Sequence, residues 1–310
     1  MLYRMSDRPV SHFVSNAIKL LFFRVSNLCR GKTIQTKIRY KMAWDRNPEL
    51  RVMTDKFLVR DYVRDTVGER FLVPIIWAGT NVKNIPWSQL PRQFAVRVTH
   101  GSGGVCLVTD RASGVEPAYR NMAGRWTRFE IHPDHFEPAQ LEQVLESWLR
   151  LSYQFRKGKP PAWAYGEITP RIVIESLIGE EGKDLTELKF FCINGEVKFI
   201  KHLVGNLSEG KGGCYYTPEW QHIPVSMSEG GTLSRSISES RQPSCLSEAI
   251  QVSKELSKRF DFVRVDLLID SDNVYFGELT FYPQGGNFEF HPSSYSRSFA
   301  EGWKQSMFYR

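Results

Sequence analysis

The chain has 310 residues, 41% apolar and 24% charged, which is the make-up of a folded protein of one large or two smaller domains and excludes a disordered chain. No run approaches the ~20 apolar residues of a membrane-spanning helix; the longest candidate, residues 20–23, sits between Lys19 and Arg24, and no leader pattern is visible. The net charge is +7, but residues 1–46 alone carry ten Lys/Arg and two acids, so the body is balanced, which argues against a nucleic-acid-binding body.

Five scattered cysteines with no CxxC pair exclude a zinc ribbon, a redox motif and a disulfide framework, and fit a reducing cytoplasm. Within the basic segment, Phe13, Ala17, Leu20, Leu21 and Arg24 keep helical spacing. Such a helix either lies on the inner membrane face as a peripheral contact or packs on the body.

Further along, Leu58/Tyr62 and Val59/Val63 predict a helix over 55–67 with Thr54 as its N-cap. Strands are expected at 71–76, 94–98 and 105–109, with His100-Gly101-Ser102-Gly103-Gly104 as the turn of a hairpin between the last two. Leu141, Val144, Leu145, Trp148 and Leu149 mark a helix after Pro138. A strand at 171–177 precedes a hairpin of 188–193 and 197–203 around Asn194-Gly195. The serine-rich stretch 226–247 reads as a mobile loop, 246–260 as a helix, and 262–270 with 274–281 as a last hairpin. Helices interleaved with hairpins predict an α+β fold.

Common nucleotide and hydrolase motifs are missing. There is no GxxxxGK[ST], GxSxG or HExxH, and the GxG of the turn lacks its third glycine. His132 and His135 read as loop residues without a metal-binding cluster around them. The last hairpin is more informative. A three-residue loop, Ser271–Asn273, sets Asp266 opposite Glu278, and like charges facing each other destabilise a ladder unless a cation intervenes. Magnesium suits one or two carboxylates plus nucleotide phosphates. Arg264 and Thr280 share that face; the alternative is an ordinary polar face bridged by Arg264. Arg97 before the glycine turn, and Lys56 one helical turn from Arg60, add cations suited to phosphate oxygens.

In this order the motifs resemble the ATP-grasp superfamily, most closely its TupA-like branch, named for teichuronopeptide biosynthesis. The resemblance covers roughly residues 40–292 and is carried by Trp44-Asp45-Arg46-Asn47-Pro48, Thr54-Asp55-Lys56-Phe57-Leu58-Val59-Arg60-Asp61-Tyr62-Val63, Val98-Thr99-His100-Gly101-Ser102-Gly103-Gly104, Pro170-Arg171-Ile172-Val173-Ile174-Glu175, Lys189-Phe190-Phe191-Cys192-Ile193-Asn194-Gly195-Glu196, Phe260-Asp261-Phe262-Val263-Arg264-Val265-Asp266-Leu267 and Gly277-Glu278-Leu279-Thr280-Phe281-Tyr282-Pro283. It implies two α+β lobes gripping ATP, spanning 47–292, after a basic segment 1–46 and before a tail 293–310.

The implied activity is an ATP- and magnesium-dependent carboxylate–amine ligase working through an acyl phosphate, with an amino acid joined to a uronic acid or similar surface polymer. Its partners are then a carboxylate acceptor and an amine donor. By the same resemblance Arg60 and Arg97 hold nucleotide phosphates, with Lys56 nearby, and residues 100–104 form a lid. Glu175 and Ile178 meet the adenine, and Glu187 or Lys189 holds ribose or adenine. Asp266 and Glu278 are the magnesium ligands, and Arg264 steadies the transferring phosphoryl group. Two positions depart from the usual pattern. Arg97 replaces a lysine, and Thr280 replaces the asparagine of Glu-x-Asn, so the further metal oxygen comes from Thr280 or Asn287. Hydroxyl phosphorylation, glycosyl transfer (Asp270-Ser271-Asp272 matches DxD only in letters) and a silent ATP-binding scaffold are the alternatives.

Overall fold

The computed structural model describes residues 31–114, 119–154, 161–179, 185–204, 212–229, 232–233 and 240–305. The expected helix at 13–24 lies outside the described residues. In chain order the helices are α1 (Ile34–Trp44), α2 (Glu49–Thr54), α3 (Val59–Val67), α4 (Pro138–Leu149), α5 (Leu246–Ser257) and α6 (Tyr295–Ser298). The strands are β1 (Ile75–Gly79), β2 (Phe94–Val98), β3 (Val105–Val108), β4 (Arg128–Ile131), β5 (Ile172–Ser176), β6 (Thr186–Ile193), β7 (Glu196–Val204), β8 (Gly212–Tyr216), β9 (His222–Ile223), β10 (Ser226–Glu229), β11 (Thr232–Leu233), β12 (Phe262–Asp270), β13 (Asn273–Thr280) and β14 (Glu289–His291).

Two sheets dominate. The smaller lobe has the order β1-β5-β2-β3-β4, with only β3 and β4 parallel. α4 covers it: Pro138 starts the helix, and Leu141, Val144, Leu145 and Trp148 form a fully buried stripe. The larger lobe has the antiparallel order β13-β12-β6-β7-β8-β9. There α5 buries Ala249, Val252 and Leu256. A third sheet, β11-β10-β14, stands beside it.

Each lobe has its own core, and the larger one reaches beyond 47–292. α1 is fixed by a capping box at Thr33 and buries Ile34, Ile38 and Met42 at one face. Phe299, Ala300 and Trp303 close the same core, and Trp303 stacks on Phe262 at 4.4 Å. Residues on both flanks therefore belong to the packed unit.

Local differences from the sequence reading have simple causes. The third helix starts at Val59, because Asp55 caps the approach by accepting from the Phe57 and Leu58 amides. Thr54 belongs to α2, where its hydroxyl donates to Leu50 O at 2.6 Å. The first strand begins at Ile75, since Phe71 ends a single turn of tighter helix. The stretch 226–247 is not one loop: it opens with β10 and β11, and Met227 pairs with Phe290 and is buried. Among the described residues no helix is long and apolar enough to cross a membrane.

Candidate active site

A cavity of about 970 Å³ lies between the two sheets. The smaller lobe contributes Arg97 of β2, the turn residues Gly101–Gly104, and Glu175 of β5; the larger contributes Lys189 of β6, Arg264 and Asp266 of β12, and Glu278 of β13. The two lobes are tied at the cavity by Lys56, whose ammonium donates to Gly101 O at 2.8 Å and pairs with Glu278 Oε2 at 3.0 Å.

Three neighbouring strands set the chemistry in one row. Lys189, Asp266 and Glu278 are direct partners across β6, β12 and β13. The hairpin reaches this register differently from the expected three-residue loop. Asp270 pairs with Asn273, so the turn has two residues, and a bulge between Asp266 and Leu267 restores the opposition by skipping Gly277. A Cβ on Gly277 would stand 2.9 Å from Asp266 O, so the bulge requires glycine.

The acids are held by cations. Arg264 grips Asp266 with two bonds of 2.6 Å, and its Nη2 also donates to Thr280 Oγ1 at 3.1 Å and stands 3.5 Å from Glu278. Lys189 donates to Asp266 and Glu187 at 2.7 Å each. Thr280 donates to Glu278 at 2.9 Å. Burial works against the Glu278 carboxylate, but Lys56, Arg264 and Lys189 outweigh it and hold its pKa well below the usual range. Burial likewise opposes charge on Arg264 and Lys189, and the surrounding carboxylates, Asp266 foremost, keep both raised. Glu278, Arg264 and Lys189 are therefore all ionised near neutral pH. On the opposite wall Glu175 takes Arg97, whose Nη2 donates to Oε1 at 2.9 Å, and Arg60 at 3.3 Å.

Lys56, Arg97, Gly101, Ser102, Gly103, Gly104, Glu175, Ile178, Glu187, Lys189, Arg264, Asp266 and Glu278 all line the cavity. Four expected residues stand elsewhere. Arg60 is turned behind the wall, donating to Val73 O at 2.8 Å and to Glu175. His100 is buried against Trp126, with ring centroids 5.6 Å apart, and burial lowers its pKa. Thr280 is buried behind Glu278. Asn287 is exposed in a second cavity, because the Pro283–Gly286 turn carries the chain away from β13. That corrects its expected place beside Asp266. Asp270 and Asp272 do not line the cavity; Asp270 accepts from Gly179 N and Asp272 from Ser244. Arg111 and Arg128 do line it, and neither falls in one of the sequence motifs. Arg128 had a readable signal, since it alternates with buried Phe129 along β4.

A family model described as TupA-like ATP-grasp matches residues 33–304. The chain belongs to the TupA-like ATP-grasp family. The α+β two-lobed architecture is the ATP-grasp fold, and the matched span includes α1 and Trp303, as the continuous core does. No curated protein matches in sequence. Among solved structures, the chain is similar to a D-alanine–D-alanine ligase from Bacillus anthracis, at 14% identity over 75% of this chain and 57% of that one, with a TM-score of 0.39. It is also similar to the macrocyclase MdnC bound with precursor peptide MdnA, from Microcystis aeruginosa MRC, at 13% identity over 98% and 75%, with a TM-score of 0.43. The ATP-grasp ligase PsnB, complexed with a phosphomimetic variant of its minimal precursor, Mg and ADP, matches at 10% identity over 76% of this chain and 52% of that one, with a TM-score of 0.39. The chain thus spans little more than half the length of the first of these structures.

Among the described residues no cluster of three or more His, Cys, Asp or Glu could cage a metal. The donor set is instead two carboxylates, Asp266 and Glu278, facing a cavity rich in cations. That fits an ion that takes one or two carboxylates and completes its shell with phosphate oxygens and water, as magnesium does.

Proposed function

We propose that the chain is an ATP-dependent carboxylate–amine ligase. The observation that carries this reading is Arg264, which reaches Asp266, Glu278 and Thr280 at once on the cavity wall. A fork so placed can meet both a transferring phosphoryl group and a later oxyanion. Asp266 and Glu278 would hold magnesium, which neutralises phosphate charge when bound. Arg97 and Lys56 bind phosphate oxygens once the nucleotide competes with Glu175 and Glu278 for them. Backbone amides of Gly101–Gly104 approach the same phosphates closely and keep water out.

In the first step an acceptor carboxylate oxygen forms a bond to the γ-phosphorus, the bond from that phosphorus to the bridging oxygen breaks, and ADP leaves. An amine nitrogen then bonds to the acyl carbon, phosphate departs with the former carboxylate oxygen, and the amine gives up a proton. Arg264 steadies the charge on the oxygens in both steps. The family's branch supports a surface polysaccharide or peptide polymer as acceptor, with an amino acid as the amine; basic residues 1–46 would keep the enzyme near such an acceptor at the membrane face.

The test is ATP turnover with magnesium, screening uronic acids and other carboxylates against amino acids. ADP and free phosphate in equal amounts, requiring both partners, support the ligase. ADP without free phosphate, alongside a phosphorylated acceptor, replaces it with a kinase.

A further inference from the structure

The second cavity, about 840 Å³, opens between α1, the turn that follows β13, and the segment from β14 to α6. That volume suits a ligand of one or two sugar rings. Arg39 of α1 and Arg297 of α6 both line it, and among the described residues neither side chain has an ion pair or hydrogen bond. Arg39 Nε is shut off from solvent with no partner. A cation left unpaired in such a place asks for an anion, because its donors gain most from a charged acceptor.

Gln35 supplies the second half of the argument. It is 6% exposed and lines the same cavity. Its Nε2 donates to Ser296 Oγ at 2.8 Å, while Oε1 is buried and accepts nothing. Glu289 adds another acceptor at the exposed rim. Acceptors beside free cations describe a ligand that is both anionic and rich in hydroxyl donors. The cavity is also built closely. Gly286, at φ +71°, lets the α1 backbone approach so near that a Cβ there would stand 2.6 Å from Gln35 O and 2.8 Å from Arg39 Cγ.

We propose that this cavity binds a hydroxyl-bearing anion, namely a carboxylate or phosphate ester carried on a sugar or polyol, as a second segment of the acceptor. Arg39 and Arg297 take the anion, and Gln35 and Glu289 accept from its hydroxyls. The link to the acceptor rests on the ligase reading; the binding itself does not. The cavity and the active site are joined by β13 and its turn, with Glu278 at one end and Asn287 at the other. A polymer held here would be gripped at a repeat other than the one that reacts.

The experiment is equilibrium binding to the full chain without ATP, by fluorescence anisotropy. The labelled probes are an oligogalacturonate, a glycerol phosphate oligomer and a neutral maltooligosaccharide. At least one anionic probe should bind and the neutral one should not; whichever binds identifies the anion as carboxylate or phosphate. Arg297→Gln, at an exposed position, should weaken that probe about tenfold, and Arg39→Met with Arg297→Gln should weaken it further. Affinity for a non-hydrolysable ATP analogue should stay unchanged in both variants, which also shows that they are folded. Two results overturn the proposal: no anionic probe binds the wild type, or the anionic probe binds Arg297→Gln and the double variant as tightly as the wild type. Failure of the ligase reading alone would leave probe binding intact while abolishing amine-dependent turnover.

Discussion

Asp266 faces Glu278 across the last hairpin through a bulge centred on Gly277. Without that skipped residue the two-residue turn would set Asp266 opposite Gly277 and send Glu278 to the other face. The opposition leaves two like charges adjacent, and the fold answers with Lys56, Lys189 and Arg264 around them. On the proposed reading, this concentration of fixed charge is what would hold magnesium and the nucleotide phosphates.

Gly277→Ala should therefore disable the site more than the fold. The added Cβ would meet Asp266 O at 2.9 Å, a backbone atom that cannot swing aside. We expect a stability loss of about 1–3 kcal/mol, as for other overpacked positions, and a drop in ATP turnover of at least about a hundredfold. Urea denaturation and steady-state kinetics on the same variant separate the two effects. Unchanged turnover in the folded variant would show that the bulge does not position the acids for catalysis.

Asp266→Asn removes one of the two carboxylates that face each other across the last hairpin at the cavity wall. Magnesium should tighten ATP binding in the wild type, and that gain should shrink about tenfold or more in the variant, since a neutral amide is a weak ligand for a hard cation. Calorimetric titrations of ATP with and without magnesium read the gain directly. If magnesium helps both proteins equally, Asp266 is not a ligand.

Arg264→Lys keeps the charge but loses the fork that makes two 2.6 Å bonds to Asp266 while reaching Thr280. The expected loss is about 10²–10³ in kcat, with the KM for ATP changed only a few-fold. A rise in KM at constant kcat would move Arg264 from the transition state to ground-state binding.

Acidification should weaken the fold through His202. Burial beside Trp220 and Tyr216 pushes its pKa down to about 4. Its folded pKa thus lies below the unfolded value of about 6.5, so the unfolded chain takes up the proton first as pH falls. Its contribution is complete above about pH 6.5 and is lost progressively down to about pH 4. Buried His100, also lowered, acts in the same direction. Between about pH 7 and pH 5 the His202 share is roughly 2 kcal/mol. Denaturant melts should show a shallower pH slope for His202→Phe; an identical slope would rule this residue out.

The residues show why some of this was legible in the sequence. Asn194-Gly195 takes the two left-handed conformations, φ +50° and +81°, that its hairpin demands. The stripe on α4 is a local signal and was readable for the same reason. The opposition of Asp266 and Glu278 is legible but its cause is not, because a three-residue loop without a bulge gives the same pairing as a two-residue turn with one. The isolated glycine inside the strand was the available clue. Asn287 could not be placed from its spacing, because Gln284, Gly285 and Gly286 all turn through positive φ and redirect the chain. Arg60 and Lys56 share a helical spacing yet part company, since Arg60 is claimed by Glu175, far away in the chain. Such long-range partners leave no periodic mark, and neither does the way Trp303 closes the core laid down by α1.

The measurement that tests the central claim most directly is isotope transfer. Once a carboxylate supports turnover, it is labelled with ¹⁸O at both oxygens, and the products are read by mass spectrometry. An acyl phosphate formed at this site predicts one labelled oxygen in the released phosphate and one in the amide. Unlabelled phosphate, or label in AMP, would contradict phosphoryl transfer to the carboxylate and with it the role assigned to Arg264 between Asp266 and Glu278.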